Sequence, residues 1–158
     1  MKDLVEEVGR LLLERGKTIA LAESCTGGLI ISLLVDFPGI SAVLERGVVT
    51  YSNRSKTDLL GVPAELIERQ GAVSRETARA MAVGIRDRAG TDVGLAVTGI
   101  AGPSGGTPEK PVGTVFIAIA EAGGAEVVPC RFSGDRRSIR EQSAAKALTV
   151  LLDVLRTG

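Results

Sequence analysis

Two side chains able to act as nucleophiles, Ser24 and Cys25, lie next to each other in the segment TIALAESCTGG, residues 18–28. An apolar run with β-branched residues precedes them, and two glycines and a second apolar run follow, a pattern typical of a strand, a tight turn and a helix. Ligands and nucleophiles gather at the carboxyl ends of strands in α/β sheets, where backbone N–H groups are unpaired and the helix dipole favours negative charge. We therefore expect this turn to lie at the centre of a functional site.

The chain contains no histidine. Within one chain this excludes a Ser-His-Asp triad, a Cys-His pair and a histidine-ligated metal, so acid–base chemistry near neutral pH falls to Lys, Tyr, Asp, Glu or Cys. A lysine can activate a serine hydroxyl when burial or a neighbouring positive charge lowers its pKa from ~10.4 to ~7. Lys56 is the candidate base, because it follows a predicted strand end and a compact polar turn.

Each of these residues also has a structural interpretation. Ser24 is equally compatible with the N-cap of the following helix, and Lys56 with a solvated side chain on a short helix. Cys25, without a histidine to lower its pKa, is expected to be a small buried side chain. Glu23 is expected to have a partner, either Lys56 or a ligand hydroxyl, because an unpaired buried carboxylate is costly. The sequence leaves these alternatives open.

Two further polar clusters follow predicted strands. Residues 51–56 come after the predicted strand 47–51, and the glycine-rich loop 99–113 comes after the predicted strand 92–98. If the three strands are parallel neighbours, their carboxyl ends lie along one edge of the sheet and the clusters face one crevice. A loop of that length and composition inside a compact domain is either functional or mobile.

Glycines in two of these clusters allow the main chain to approach a ligand closely. Gly27 and Gly28 permit such an approach, and we expect the amides of residues 26–28 to form an oxyanion hole. The segment 99–103 resembles an anion-binding nest. It lacks the ending of a Walker-A loop and the spacing of a dinucleotide fingerprint, which argues against ATP or NAD binding of those kinds.

Three arginines, Arg136, Arg137 and Arg140, follow Gly134 at a predicted helix start. A phosphate group placed there would find both guanidinium and backbone donors. The alternative is an ordinary solvated first turn of a helix.

Hydrophobic periodicity predicts the elements that position these clusters. Strands interleaved with helices and ending in one hairpin predict an α/β fold, a three-layer α/β/α sandwich around a mixed, mostly parallel sheet with one antiparallel strand, in a single domain over residues 1–158. The predicted strands are 18–22, 47–51, 92–98, 114–120 and 126–132, and the predicted helices are 3–15, 29–35, one closing at Gly61, one opening at Pro63, 75–89 with Ser74 as N-cap, and 136–155.

Composition restricts the partners. Lys plus Arg and Asp plus Glu both number 19, so the formal net charge is zero. The overall charge therefore favours binding neither to nucleic acid nor to a membrane surface. Three Phe, one Tyr and no Trp leave no stacking platform for single strands. The first residues do not resemble a secretory signal, and no apolar run approaches membrane-spanning length. We expect a cytoplasmic protein whose Cys25 and Cys130 stay reduced.

Six sequence blocks carry a family resemblance: AESCTGG (22–28), GVVTYSNRSK (47–56), GAVS (71–74), TGIAGPSGG (98–106), KPVGTV (110–115) and SGDRRSIR (133–140). Together and in this order they resemble the C-terminal domain family of CinA, the nicotinamide-nucleotide amidohydrolases or NMN deamidases. The resemblance implies a three-layer α/β/α fold. It also implies hydrolysis of nicotinamide mononucleotide, a small-molecule nucleotide, to nicotinate mononucleotide and ammonia in pyridine-nucleotide recycling, with no metal or organic cofactor.

The resemblance also implies roles for individual residues. The family's nucleophile falls on Ser24, its general base on Lys56 and a pocket tyrosine on Tyr51, so that an acyl group is transferred from the carboxamide to Ser24. An arginine that supports activity falls on Arg136 or Arg140. The residues expected to contact the substrate are Glu23, Thr26, Gly27, Gly28, Thr98, Gly99, Gly102, Arg136 and Arg140.

Other functions remain compatible with the same residues. The main alternative is a non-catalytic nucleotide-binding regulatory module of the competence or damage-inducible type, and a partner of DNA-recombination machinery is a weaker one. Many family members carry an additional N-terminal domain with nucleotide-pyrophosphatase activity, which we expect this chain to lack. The apolar faces of the terminal helices suggest a possible homodimer or higher homo-oligomer.

Overall fold

Helices and strands alternate along the chain in the predicted order. The computed structural model describes residues 1–158. Its elements are α1 (Lys2–Arg15), β1 (Ile19–Glu23), α2 (Leu29–Val35), a short 3-10 helix (Ile40–Ala42), β2 (Leu44–Val49), α3 (Asn53–Leu60), α4 (Ala64–Gln70), α5 (Arg75–Ala89), β3 (Val93–Gly99), β4 (Thr114–Glu121), β5 (Gly124–Arg131) and α6 (Arg136–Thr157).

The five strands form one mixed sheet in the order β2-β1-β3-β4-β5. β1 lies in the middle of a parallel trio with β2 and β3, β4 is antiparallel to β3, and β5 is antiparallel to β4. β4 is therefore the single strand of opposite direction, which confirms the predicted α/β class. Glu23 at the end of β1 pairs with Val49 of β2 and with Val97 of β3. The segments that follow these strands consequently emerge at one edge of the sheet.

The two faces of the sheet are covered by different helices. In β1, Ile19 and Leu21 face the larger apolar core with α1, α2 and α6, whereas Ala20 and Ala22 face the smaller core with α3, α4 and α5. Small side chains on the second face allow close helix packing, since a Cβ on Gly94 of β3 would lie 2.3 Å from the backbone oxygen of Ala82 in α5. This arrangement gives the three layers predicted from the sequence.

The bounds of β2 and of the helix around Lys56 differ from the prediction. β2 ends at Val49, and α3, which closes at Gly61 as predicted, begins at Asn53 with Ser52 as N-cap, whose hydroxyl accepts from the Ser55 N–H at 3.0 Å. Lys56 therefore lies on the first turn of this helix, within the segment predicted as a polar turn. α4 begins one residue later than predicted, because Pro63 is its N-cap and not its first helical residue.

The terminal helices use their apolar faces inside the fold. Val5, Val8 and Leu12 of α1 are buried in the same core as Leu148 and Leu151 of α6. These faces therefore give no ground for a dimer, and the oligomeric state stays a prediction. Both cysteines are free thiols, as expected. None of the helices is long and apolar enough to cross a membrane.

Candidate active site

Ser24 and Lys56 meet at the carboxyl edge of the sheet. Ser24 directly follows β1, and its N–H donates to the Val97 carbonyl of β3 at 3.0 Å. The Lys56 side chain reaches this point from α3, and its Nζ lies 3.1 Å from the Ser24 Oγ. Ser24 is not a helix cap, because the N-cap of α2 is Gly28. The solvated alternative for Lys56 is also wrong, since this residue is only 1% exposed.

Three oxygen atoms surround the Lys56 amine. Besides the Ser24 hydroxyl, the carbonyl oxygens of Thr50 and Tyr51 lie 2.7 and 3.2 Å from its Nζ. A neutral amine has two N–H donors and one lone pair. When both donors bind the two carbonyls, the lone pair faces the Ser24 hydroxyl, as a general base requires. Burial lowers the pKa of Lys56 to about 8, which makes the neutral form accessible near physiological pH.

Glu23 supports the turn that carries Ser24. Its buried carboxylate accepts from the Ile30 and Ile31 N–H groups at 3.0 Å each. These groups belong to the first turn of α2, where the helix dipole stabilises an anion. Glu23 therefore has the partner expected for a buried acid, but this partner is the helix start. It makes no hydrogen bond with Lys56, and its contact with a ligand stays a prediction.

Arg140 holds the same turn from the other side. Its Nε donates to the Cys25 carbonyl at 3.0 Å and its second terminal nitrogen donates to the Thr26 carbonyl at 2.9 Å. The Gly27 N–H donates to the Ser24 carbonyl at 3.0 Å, so this amide is unavailable to an oxyanion. Gly27 and Gly28 have φ values of +60° and +97°, a conformation that favours glycine.

A cleft of about 240 Å³ opens beside Ser24. Its walls come from the three polar clusters predicted to share a crevice, from residues 72–73 and from the first residue of α6. They include Ser24, Cys25, Tyr51, Lys56, Ala72, Val73, Thr98, Gly99, Ile100, Ala101, Gly102, Ser104, Gly105 and Arg136. Five of the predicted substrate contacts do not line this cleft and instead lie in or against the Ser24 turn: Glu23, Thr26, Gly27, Gly28 and Arg140.

Arg136 lies at the rim of the cleft and Arg140 does not. The Arg136 guanidinium donates to the Tyr51 hydroxyl and to the Gly102 carbonyl, both at 2.7 Å. Tyr51 is 59% exposed, so its ring forms part of an open rim. Of the two arginines left open by the sequence, only Arg136 lines this cleft.

Thr98 lines the cleft but also has a structural partner. Its hydroxyl donates to the Ala72 carbonyl at 2.8 Å, and this contact holds the segment Ala72–Val73 as a wall of the cleft. Sequence reasoning assigned no function to this segment. The only signal for it was the block GAVS, in which Ser74 caps α5 by accepting from the Thr77 N–H at 3.1 Å.

Cys25 is a buried neighbour of the nucleophile candidate. It is 5% exposed, and burial raises the pKa of its thiol to about 11. The thiolate is therefore suppressed near neutral pH, and the hydroxyl of Ser24 with its amine is the better equipped nucleophile.

The start of α6 is less available to a phosphate than the sequence suggested. Asp135 is its N-cap, and its carboxylate accepts from the Ser138 N–H at 2.8 Å. Arg137 points to the exposed face, where it pairs with Glu141. No three His, Cys, Asp or Glu side chains come together in a group that could hold a metal ion.

Comparisons with known proteins agree with this architecture. The family model described as the CinA C-terminal domain matches residues 1–155. A CinA-like protein of Syntrophotalea carbinolica is 58% identical over 145 residues, which is 92% of this chain but 35% of that protein. The CinA-like protein of an Anaeromyxobacter species is 53% identical, over 98% of this chain and 38% of that protein. The chain thus spans little more than a third of these relatives.

Solved structures match the chain over nearly its whole length. A competence-damaged protein (CinA) superfamily protein from Klebsiella pneumoniae is 36% identical with a TM-score of 0.95, covering 99% of this chain and 98% of that one. The competence/damage inducible protein CihA from Agrobacterium tumefaciens is 42% identical with a TM-score of 0.90, covering 96% and 95%. On its sequence and its fold, the chain belongs to the CinA C-terminal domain family.

Proposed function

We propose that this protein hydrolyses the carboxamide of nicotinamide mononucleotide to give nicotinate mononucleotide and ammonia, as a serine amidohydrolase of pyridine-nucleotide recycling. The family resemblance suggests the reaction. The observation that carries the proposal is the contact of 3.1 Å between the buried Lys56 amine and the Ser24 hydroxyl in an open cleft. A hydroxyl with an adjacent neutral amine is a competent nucleophile and base.

The first half of the reaction releases ammonia. The Ser24 Oγ attacks the carboxamide carbon while Lys56 accepts the hydroxyl proton. The tetrahedral intermediate then collapses, the C–N bond breaks, and the Lys56 ammonium returns the proton to the leaving nitrogen. The products of this half are ammonia and a nicotinoyl ester on Ser24. The ammonium form that exists between the two steps is stabilised by the carbonyls of Thr50 and Tyr51.

The second half regenerates the enzyme. A water molecule attacks the ester carbon, and Lys56, again neutral, accepts one of its protons. Collapse of this second intermediate breaks the bond to the Ser24 Oγ, which takes the proton back from Lys56. One amine thus acts as base and acid twice, which the pKa of about 8 permits near neutral pH.

The charge of the cleft suits an anionic substrate. Its walls contain two basic side chains, Lys56 and Arg136, and no carboxylate. Arg136 stands at the rim, where a phosphate attached to the reacting ring by a ribose would remain outside the deepest part of the cleft. We therefore assign Arg136 to the phosphate of the substrate.

A non-catalytic nucleotide-binding module would account for the cleft but not for the buried Lys56 amine that lines it. A protein that only binds a nucleotide gains nothing from an amine that is 1% exposed and whose partners are a hydroxyl and two carbonyls rather than a carboxylate, since burying such a group is costly. A catalyst needs this arrangement because burial produces the neutral base.

The test measures ammonia and nicotinate mononucleotide released by the purified chain from nicotinamide mononucleotide. Ser24→Ala removes the nucleophile and should reduce turnover by about 10⁴-fold or more. It should still bind the substrate in calorimetry, because the Lys56 amine keeps both of its carbonyl partners.

Ser32→Ala, at an exposed position of α2, is the matched control and should keep full activity. Full activity of Ser24→Ala would refute the mechanism. Binding of the nucleotide by the unaltered chain without product would instead favour the binding module.

A further inference from the structure

Two buried residues of the glycine-rich loop have amides without a partner in the fold. The N–H groups of Ala101 and Gly102 find no acceptor in the protein, although both residues are buried. Pairing is regular immediately before them, where the Ile100 N–H donates to the Thr114 carbonyl at 2.9 Å. Buried N–H groups without an acceptor are rare in folded proteins, because each costs the free energy of a lost hydrogen bond. These two amides therefore call for a ligand or a reacting group.

Both amides belong to residues that line the cleft beside Ser24. Glycine at position 99 lets this loop approach the nucleophile turn, and glycine at position 102 lets it pack on Val112. A Cβ on Gly99 would lie 3.1 Å from the Cys25 Sγ, and one on Gly102, whose φ is +81°, would lie 2.5 Å from a methyl group of Val112. Glycine at these positions lets the main chain itself form a wall of the cleft beside Ser24.

The nucleophile turn supplies only one comparable donor. The Ser24 N–H is bound to the Val97 carbonyl and the Gly27 N–H to the Ser24 carbonyl. Thr26 and Gly28 do not line the cleft. Cys25 lines it and its N–H has no main-chain or side-chain acceptor elsewhere in the fold. The amide directly after a nucleophilic serine is a common member of an oxyanion hole, with a second donor from a neighbouring loop.

We propose that the N–H groups of Ala101 and Gly102, with that of Cys25, form the oxyanion hole of this enzyme. The assignment rests on the proposed function. When the Ser24 Oγ bonds to the carboxamide carbon, the electron pair of the C=O double bond moves onto the oxygen, and these donors stabilise the resulting anion. The assignment replaces the amides of residues 26–28 expected from the sequence.

Arg136 is a positioning residue in this arrangement. Its guanidinium holds the Gly102 carbonyl at 2.7 Å, which fixes the peptide that follows Gly102 and leaves the Gly102 N–H unoccupied. The loop is thus held through an acceptor, and its donors stay available to the substrate.

The test replaces one amide by an ester. Incorporation of glycolic acid at position 102 removes the Gly102 N–H and changes no side chain. The same replacement at Gly106 is the matched control, because Gly106 belongs to this loop and is exposed to solvent but does not line the cleft. In both cases the carbonyl that becomes an ester, that of Ala101 or Gly105, accepts no hydrogen bond, so its weaker acceptor strength has no structural cost.

We expect the ester at position 102 to lower kcat by about 10²- to 10³-fold with little change in KM, because the lost donor acts on the transition state. The ester at position 106 should leave kcat within about twofold. Equal losses at 102 and 106, or no loss at 102, would overturn the assignment.

A second measurement separates this assignment from the proposed substrate. Pyridine-3-boronic acid should form a tetrahedral adduct with the Ser24 hydroxyl, detectable by boron NMR, and the ester at 102 should weaken its binding at least about tenfold whereas the ester at 106 should not. A weakened adduct without ammonia release from nicotinamide mononucleotide would support the oxyanion hole and refute the substrate. Ammonia release with boronate binding unaffected by either ester would do the reverse.

Discussion

The two main-chain segments that line the cleft beside Ser24 use their polar groups in opposite ways. In the nucleophile turn, residues 24–28, the carbonyls of Ser24, Cys25 and Thr26 all accept hydrogen bonds, and Glu23 fixes the helix that follows. In the glycine-rich loop, residues 99–106, the amides from Ala101 onward have no acceptor in the protein. The nucleophile turn is held by hydrogen bonds within the fold, whereas the glycine-rich loop keeps its N–H donors unpaired.

The difference teaches how the site divides its tasks. A nucleophile must be held in a near-attack position, since small displacements from it are costly in rate. Two buried or half-buried charges, those of Glu23 and Arg140, hold the turn in place. A wall that binds a developing charge must instead offer donors that nothing else uses, and Arg136 holds that wall through a carbonyl only.

After loss of the nucleophile itself, the largest effect should come from the base. Lys56→Met keeps most of the length of the side chain but removes the proton acceptor, and we expect kcat to fall by about 10³-fold. Lys56→Arg should be equally inactive, because a guanidinium stays protonated at every accessible pH. Ammonia release at saturating substrate checks both. Substantial activity in Lys56→Arg would show that charge alone suffices and would contradict a base at this position.

Arg140→Met tests whether the rigid turn matters for the chemistry. Loss of the bonds to the Cys25 and Thr26 carbonyls should lower kcat by about 10²-fold with KM nearly unchanged, since the turn positions Ser24 and does not line the cleft. The free energy of unfolding should fall by about 2 kcal/mol. Arg137→Met, at an exposed neighbouring position, serves as the control for the change of charge on α6. A rise in KM alone would mean that Arg140 binds the substrate.

Arg136→Met tests the opposite wall. We expect KM to rise about tenfold, because the guanidinium at the rim is lost to the phosphate, and a smaller decrease in kcat as the Gly102 carbonyl is released. Steady-state kinetics of Arg136→Met and Arg140→Met side by side give the comparison. Identical changes in both constants for the two variants would remove the distinction between the rim and the turn.

The smallest effects on activity concern pH. Because burial lowers the pKa of Lys56 from 10.5 to about 8 and the neutral amine is the active form, kcat/KM should rise with pH and level off above about 8. Between about pH 8 and pH 10.5, the two pKa values of Lys56, the unfolded chain binds more protons than the folded one. The free energy of unfolding therefore rises with pH over this range, by about 3 kcal/mol in total. Unfolding by denaturant, compared with Lys56→Met at each pH, isolates this contribution. Parallel curves would contradict a buried amine.

Part of the fold and of the site follows from local sequence patterns. The strands and the polar residues that follow them were predictable, because alternating apolar runs and glycines mark where each strand ends. From this the meeting of Ser24 and Lys56 could be expected. The depth of Lys56 could not, since it depends on how α3 packs against the sheet.

The support of the site depends on long-range contacts that no local pattern encodes. Arg140 reaches carbonyls more than a hundred residues earlier in the chain, and it looked like Arg136 in the sequence because both follow the same glycine. From the sequence, Glu23 was expected to orient Lys56 or a ligand. Its actual partners are the first N–H groups of α2, and these reach the carboxylate only because the glycine turn between them is tight. The wall formed by Ala72 and Val73 has only apolar side chains and gave no chemical signal.

Tyr51 touches both ends of the site, with its carbonyl on the Lys56 amine and its phenol on the Arg136 guanidinium. A ligand that draws Arg136 away from the phenol therefore also disturbs the residue that helps to set the proton affinity of the amine. Occupancy of the rim and ionisation of the base are linked through one residue, and linkage is reciprocal. The affinity for an anion at the rim should accordingly change as the amine titrates near pH 8.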